Sequence, residues 1–467
     1  MSKRPNFLIF FPDQHRGDWM PYNKETFQKF GMTELPLRMP NIKRIMKEGV
    51  TFTSAITPSP LCAPARACLA SGLRYKDCRV ASNSMDYPVD QKTYYSALKK
   101  VGYIVSSVGK LDLHKPTLYW GLNGWILDFD KIGFTHIIDN EGKWDAFLSL
   151  RMDKSEILSQ NGVLQQIYTP KGPYMKYLEE KNLLGIHMND FKKRLKKYNT
   201  EPTPLPEESY CDNWITQNAL DMLNKFPKDN PWHLVVNFTG PHEPWDITKR
   251  MKKEWENISF PKPFNGNEKK LEEEIKIRQN YAAMLENIDR NIGIIIDKVK
   301  ERGEIDNTII IYASDHGEML GDFKKHGKQL PQRGSTHIPL IISGPNITKG
   351  KYNNQLVELQ DLTNTILDYA KTNMKRAKAS ISLKRLLEGN KKDHRNYQIS
   401  ALNLSGKENS GWKLIKNERY KLVIEKKMDF KLYDLKHDPW ESDDCSKENP
   451  IIVRDLFNEL KNVYLEK

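Results

Sequence analysis

Cysteine is scarce in this chain: there are five in 467 residues, Cys62, Cys68, Cys78, Cys211 and Cys445. The number is odd and no two stand as C-x-x-C, which argues against a disulfide framework and predicts reduced thiols. No apolar run approaches the roughly eighteen residues that a membrane helix needs, so no membrane partner is expected. Residues 1–6 lead directly into an apolar run at 7–11 that is too short for a signal peptide and has no small-residue cleavage site. The sequence as given therefore reads as cytoplasmic, unless a leader precedes it. No internal repeat and no RNA- or DNA-binding motif is visible. The formal net charge is +13, but the lysines are scattered in short clusters such as 192–197. They read as a lysine-rich surface, and no nucleic-acid partner is expected.

What is present is an ordinary globular mixture, 38% apolar and 28% charged, long enough to bury a large core. Residues 7–11 form a continuous apolar run, the mark of a strand covered on both faces. Strands are also expected at 50–55, 103–108, 233–238, 308–313 and 338–342. Helices are expected at 93–101, 213–226 and 272–301, and a short one capped by Asn41 carries Ile42, Ile45 and Met46 up to Gly49. Helix followed by strand, repeated, predicts an α/β fold with a large, mostly parallel sheet sandwiched by helices. After about residue 375 the pattern changes to four short antiparallel strands (397–402, 411–416, 420–424, 431–435) and a closing helix at 451–464. The reading is a catalytic α/β domain over 1–375, with variable insertions at 115–206 near the site, and a C-terminal α+β subdomain over 376–467. The insertions hold several tryptophans and a basic helix near 190–198.

Polar residues follow nearly every strand. Asp13 and Gln14 follow the first, Lys110, Asp112 and His114 another, His242 another, and Asp315 and His316 another. In a parallel sheet one edge collects such groups, and open α/β sheets place their sites there. Asp13, Gln14, Asp315 and His316 suit a metal. Oxygen donors favour calcium or magnesium, and an imidazole shifts the balance toward manganese or zinc. Lys110, Asp112 and His114 share one face if the segment is extended.

The most informative stretch is residues 59–72, SPLCAPARACLASG, with the kernel C-x-P-x-R from Cys62 to Arg66. Pro58 and Pro60 hold the approach extended, Pro64 suits a first helical turn, and Gly72 is a natural stop. Cys62 thus falls at a helix N-terminus, where an anion is favoured, and Arg66 lies one turn on, able to point back at it. By composition alone Cys62 reads as a small buried hydrophobe. The whole string, however, closely resembles the signature of the type I sulfatases of the alkaline phosphatase superfamily. Ser314-Asp315-His316-Gly317-Glu318, Gly327-Lys328 and the tail from Leu432 to Glu441 resemble the same family.

That resemblance implies a sulfuric ester hydrolase with an alkaline-phosphatase-like fold. Its cysteine, here Cys62, is oxidised by a maturation enzyme to formylglycine, whose hydrated aldehyde is the nucleophile. It implies one divalent metal, with calcium first and manganese or magnesium as alternatives, held by Asp13, Gln14, Asp315, His316 and the oxidised Cys62. Lys110 and Lys328 would grip the sulfuryl oxygens, Arg66 would help offset charge, His242 would assist the leaving group, and Asn83 would touch substrate. The aspartate–glutamine start points to the branch of choline-sulfatases and phosphonate monoester hydrolases, so a phosphonate or phosphate ester hydrolase is the alternative. The family's G-K-x-H element reads here Gly109-Lys110-Leu111-Asp112, and Asp112 or His114 takes the histidine's place. The substrate implied is a small-molecule or carbohydrate sulfate ester. Its alcohol and the oligomeric state are not written in the sequence.

Overall fold

The computed structural model describes residues 4–465 apart from 116, 153–156, 161–162, 167, 195–198, 376, 378, 391–393 and 405–410. Eight strands build the main sheet: β1 (Asn6–Phe10), β2 (Gly49–Phe52), β3 (Ile104–Gly109), β4 (His136–Asp139), β5 (Trp232–Asn237), β6 (Thr308–Ala313), β7 (Leu340–Ser343) and β8 (Lys351–Asn353). Their order across the sheet is β8-β2-β7-β6-β1-β5-β3-β4. Every neighbouring pair is parallel except the two made by β7, which runs against β2 and β6. The mostly parallel sheet is thus present, with one reversed strand that apolarity alone could not reveal.

The alternation along β1 shows why the sheet is covered twice. Leu8 and Phe10 join one apolar core, and Phe7, Ile9 and Phe11 join the other. The first core is closed by helix α1 (Pro40–Lys47), helix α4 (Cys211–Lys225) and the long helix α5 (Leu271–Glu301). The second is closed by α2 (Cys62–Ser71), α3 (Tyr94–Lys100) and α6 (Asp361–Tyr369). On α5, Leu285, Ile288, Ile292 and Ile295 are fully buried at helical spacing, each contributing about 1.5–3 kcal/mol by leaving water. Asn41 does not cap α1. Pro40 opens that helix, and the Asp289 carboxylate of α5 accepts from the N–H groups of Asn41 (3.1 Å) and Ile42 (2.7 Å). The cap comes from a distant residue and could not be read locally.

The C-terminal part is an antiparallel meander of β9 (Gln398–Leu402), β10 (Trp412–Lys416), β11 (Tyr420–Glu425) and β12 (Asp429–Asp434), with helix α7 (Pro450–Leu465) on one face. The other face, through Leu402, Trp412, Leu414, Val423 and Tyr433, packs on Ile56 and Leu61. The meander therefore buttresses the segment that delivers Cys62. Part of the expected basic helix is present as Leu184–Arg194, and 195–198 lies outside the described residues. Trp120, one of the tryptophans of the expected insertions, is buried. No helix among the described residues is long and apolar enough to cross a membrane.

Candidate active site

Four adjacent strands of one direction, β6-β1-β5-β3, end at the same edge. Their exits carry Asp315, Asp13, His242 and Lys110. Gly109 makes the approach of β3 to β5 possible: a Cβ there would collide with the Asn237 carbonyl, which accepts from the Lys110 N–H at 3.1 Å.

Helix α2 begins at Cys62 and is buried along its whole length, so its N-terminus is pressed against this edge. Gly72 ends it in the left-handed conformation, as its lack of Cβ permits. The Ala63 N–H, one of the helix's free donors, is taken by Asn83 Oδ1 at 3.0 Å. That contact sets Asn83 beside Cys62.

Around Cys62 Sγ the side chains converge from four segments. Lys328 Nζ lies at 3.0 Å, His316 Nε2 at 3.3 Å, Lys110 Nζ at 3.6 Å and Asp13 Oδ1 at 3.8 Å. Lys328 also donates to His242 Nε2 at 2.9 Å. Lys110 pairs with Asp13 and, at 3.1 Å, with Asp112. Burial and Asp13 oppose ionisation of the Cys62 thiol, yet Lys110, Lys328 and His316 together hold it well below its usual range. Burial likewise opposes the Asp13 carboxylate, and Lys110, His242, Lys328 and Arg66 together outweigh it.

Arg66 does not point back at the sulfur. Its guanidinium donates to Asp315 Oδ2 (3.1 Å), the Lys110 carbonyl (2.6 Å) and Asn237 Oδ1 (3.0 Å), and stands 3.7 Å from Asp13. It fixes the two carboxylates, and so belongs to their scaffold.

One ligand atom from each of Asp13, Cys62, Asp315 and His316 lies within 4.8 Å of the others, all buried. His316 Nδ1 faces the Gly317 carbonyl at 3.1 Å, which leaves Nε2 as the ligating nitrogen. Gln14 is beside them, its N–H donating to Asp315 Oδ1 at 3.0 Å, and its Oε1 is buried without a hydrogen-bond partner among the described residues. Such an orphan oxygen next to two carboxylates and an imidazole fits a hard divalent cation.

The segment after Lys110 departs from the extended geometry that would put 110, 112 and 114 on one face. Asp112 has φ +57, so the chain turns there. Asp112 stays in the site, held between Lys110 and Lys115 (3.2 Å). Burial opposes its charge, but these two lysines keep the carboxyl well below its usual range. His114 turns away to Asp86 (3.1 Å) and Thr117 (3.1 Å).

Three residues of the site were not singled out from sequence. Glu243 lies 3.3 Å from His242 Nδ1 and accepts from Gln14 Nε2 at 2.5 Å, while Glu318 accepts from the same amide. Asn237 holds Arg66. Asn237 is a polar residue ending an apolar strand, so the strand-exit rule itself could have found it. Burial lowers the His242 pKa, but Glu243, with Asp13 and Cys62, more than offsets this and leaves it above its ordinary value.

A reactive position flanked by lysines, on a parallel-sheet edge that also offers a cation site, is the chemistry of a hydrolase acting on an anionic ester. The comparisons with known proteins agree. The family model Sulfatase matches residues 5–372, and the model N-sulphoglucosamine sulphohydrolase, C-terminal matches residues 321–466. The chain belongs to the sulfatase family. An arylsulfatase of Clostridium perfringens is 25% identical over 466 residues, covering 94% of this chain and 89% of that protein. The phosphonate monoester hydrolase of Agrobacterium radiobacter superposes with a TM-score of 0.77 at 19% identity, covering 99% of this chain and 95% of that one. A structure described as a complex with its substrate D-glucosamine-2-N,6-O-disulfate gives 0.73 at 19% identity, covering 99% and 97%.

Proposed function

We propose that this sulfatase-family hydrolase cleaves a sulfate ester to alcohol and sulfate, using formylglycine made from Cys62 by a maturation enzyme, together with one divalent cation. The observation that carries the proposal is the convergence of Lys328, Lys110, His316 and Asp13 within 3.0–3.8 Å of Cys62 Sγ. The sulfur marks where the hydrated aldehyde's hydroxyls would stand. That hydrate supplies the nucleophile, and the cation, for which oxygen donors favour calcium, supplies Lewis acidity.

The chain's own residues supply the rest. Lys328 and Lys110 offset the negative charge that grows on the transferring group, the term that is usually largest. His242, held above its ordinary pKa by Glu243, donates a proton to the departing alcohol oxygen. Asp112 remains ionised and orients Lys110. Asn83 meets the substrate at the helix mouth. The structural likeness to a glucosamine-disulfate complex supports a sulfated sugar as substrate.

The test is a hydrolysis screen of sulfated sugars, choline sulfate and aryl sulfates against matched phosphonate and phosphate esters. The proposal expects kcat/KM to be highest on a sulfate ester. Preference for the phosphonate partner of a matched pair would instead assign the chain to phosphonate hydrolysis.

A further inference from the structure

A second charged pocket lies between the main domain and the C-terminal meander. Its volume is about 330 Å³, and its lining includes Ser54, Arg333, Lys416, Lys421 and Glu441. Lys421 is nearly fully buried and is answered by Glu441 at 2.6 Å. Lys416 has no such answer: its ammonium donates to the Ser54 hydroxyl at 3.3 Å, and no carboxylate pairs with it among the described residues. Arg333 shares Asp18 (3.2 Å) with Arg16 (2.5 Å), and its Nη2 is buried with no hydrogen-bond partner among the described residues.

The network behind the pocket does not cancel this charge. Arg16 and Arg278 both pair with Asp322, and Arg16 and Arg333 both pair with Asp18. Arg16, Arg278, Arg333, Lys416 and Lys421 therefore stand against Asp18, Asp322 and Glu441, leaving two cations in excess. At the rim, exposed Lys29 is paired with Glu25 at 2.9 Å, and exposed Glu418 offsets one of the two, so one cation remains in excess. His337, which also lines the pocket, is kept neutral by burial at a pKa of about 3 and adds no charge. Crowding by Lys421 and Arg333 adds to burial in bringing the Lys416 ammonium down to about 8, the behaviour of a cation that lacks its counter-ion.

Lys416 and Arg333 are half-buried in the pocket wall; a cation drawn out of water without a partner is costly, and the pocket beside them offers room for one. We propose that this pocket binds a small dianionic oxyanion, of the class of sulfate or phosphate, between Lys416, Arg333 and the Ser54 hydroxyl. The site is separate from the Cys62 cluster and does not depend on the reaction proposed for it. Ser54 and Ile56 lie on the segment leading to Cys62, so an anion here braces the meander against that segment.

The test is calorimetric titration of the full-length protein with sodium sulfate and, separately, sodium phosphate, at constant ionic strength set with chloride. A Lys328→Met background weakens anion binding at the Cys62 cluster. In that background Lys416→Met is expected to lower oxyanion affinity at least about tenfold, the loss of one charge-assisted contact. A second readout is thermal. Without oxyanion, Lys416→Met on the wild-type chain should melt no lower than wild type, because a repelled cation is removed. Adding sulfate should raise the wild-type midpoint more than the variant's, the general salt effect being common to both. Response to one anion alone names the ligand. Affinity unchanged by Lys416→Met, or a variant that melts lower and gains as much from sulfate as wild type, would overturn the proposal.

Discussion

Two buried charge clusters grow from the same loop after β1, and they are built differently. Arg16 and Asp18 enter one, where Arg16 meets Asp18 and Asp322 at 2.5 Å each and Arg278 meets Asp322 at 2.7 Å. There each carboxylate is answered by two guanidinium groups, Asp18 by Arg16 and Arg333 and Asp322 by Arg16 and Arg278. Asp13 and Gln14 enter the other, where Lys328 donates to a sulfur and an imidazole, and Gln14 Oε1 has no partner among the described residues. Satisfied charges lock a fold, whereas charges and lone pairs left open in a buried site are reserved for something that binds. Substitutions in the two clusters should therefore separate cleanly into losses of stability and losses of turnover.

The largest expected effect is at Asp315. Asp315→Ala removes a proposed cation ligand and the anchor of Arg66, and should cost on the order of 10⁴-fold or more in kcat/KM together with the bound metal. Metal analysis of the purified protein beside a turnover assay checks both, and a variant keeping its metal and its rate would remove Asp315 from the site.

Next is His242→Ala, which should lower kcat by about 10²- to 10⁴-fold on esters of poor leaving groups, and by less on nitrophenyl esters, whose alcohol departs without a proton. Because Glu243 lifts the His242 pKa above its ordinary 6.5, the protonated acid persists above that pH and turnover falls on the alkaline side. Glu243→Gln should move that limb to lower pH. An unmoved limb would mean that another group sets it.

In the other cluster Asp18→Asn should cost about 3–5 kcal/mol of stability, by breaking a buried pair, while the folded variant keeps its kcat. Burial opposes the Asp18 charge, but Arg16 and Arg333 together outweigh it and hold the carboxyl far below its usual value. Its contribution is therefore complete above the unfolded pKa of about 4 and is lost as pH falls below that. Urea denaturation of both proteins from pH 7 down through 3 should show the gap closing only in acid.

The smallest contrast is between Asp112 and His114. Asp112→Asn loosens Lys110 and should lower kcat about 10- to 100-fold, as loss of a supporting partner typically does. His114→Ala should leave turnover unchanged, since its ring sits on Asp86 and Thr117. The reverse order of effects would show that the loop rearranges when substrate binds.

Much of the site was legible because the sheet is parallel. Asp13, Lys110, His242 and Asp315 each follow an apolar run, and parallel strands bring such exits together whatever their distance in sequence. What escaped was set by backbone dihedrals and long-range partners. The positive φ at Asp112 broke the two-residue period on which His114 had been placed beside Lys110. Arg66 found Asp315, 249 residues away, instead of the sulfur one turn behind it. The reversed direction of β7 and the capping of α1 by Asp289 depend on neighbours that no local pattern names. Asn237, Glu243 and Glu318 belong to the site through contacts of the same kind.

The central claim is that Cys62 acts as formylglycine. Its most direct test is mass spectrometry of the peptide containing residue 62, from protein produced with a maturation enzyme and assayed in the same preparation. The account predicts that the thiol is replaced by the aldehyde in proportion to the sulfatase activity recovered. Full activity in a preparation that carries only unmodified cysteine would contradict it.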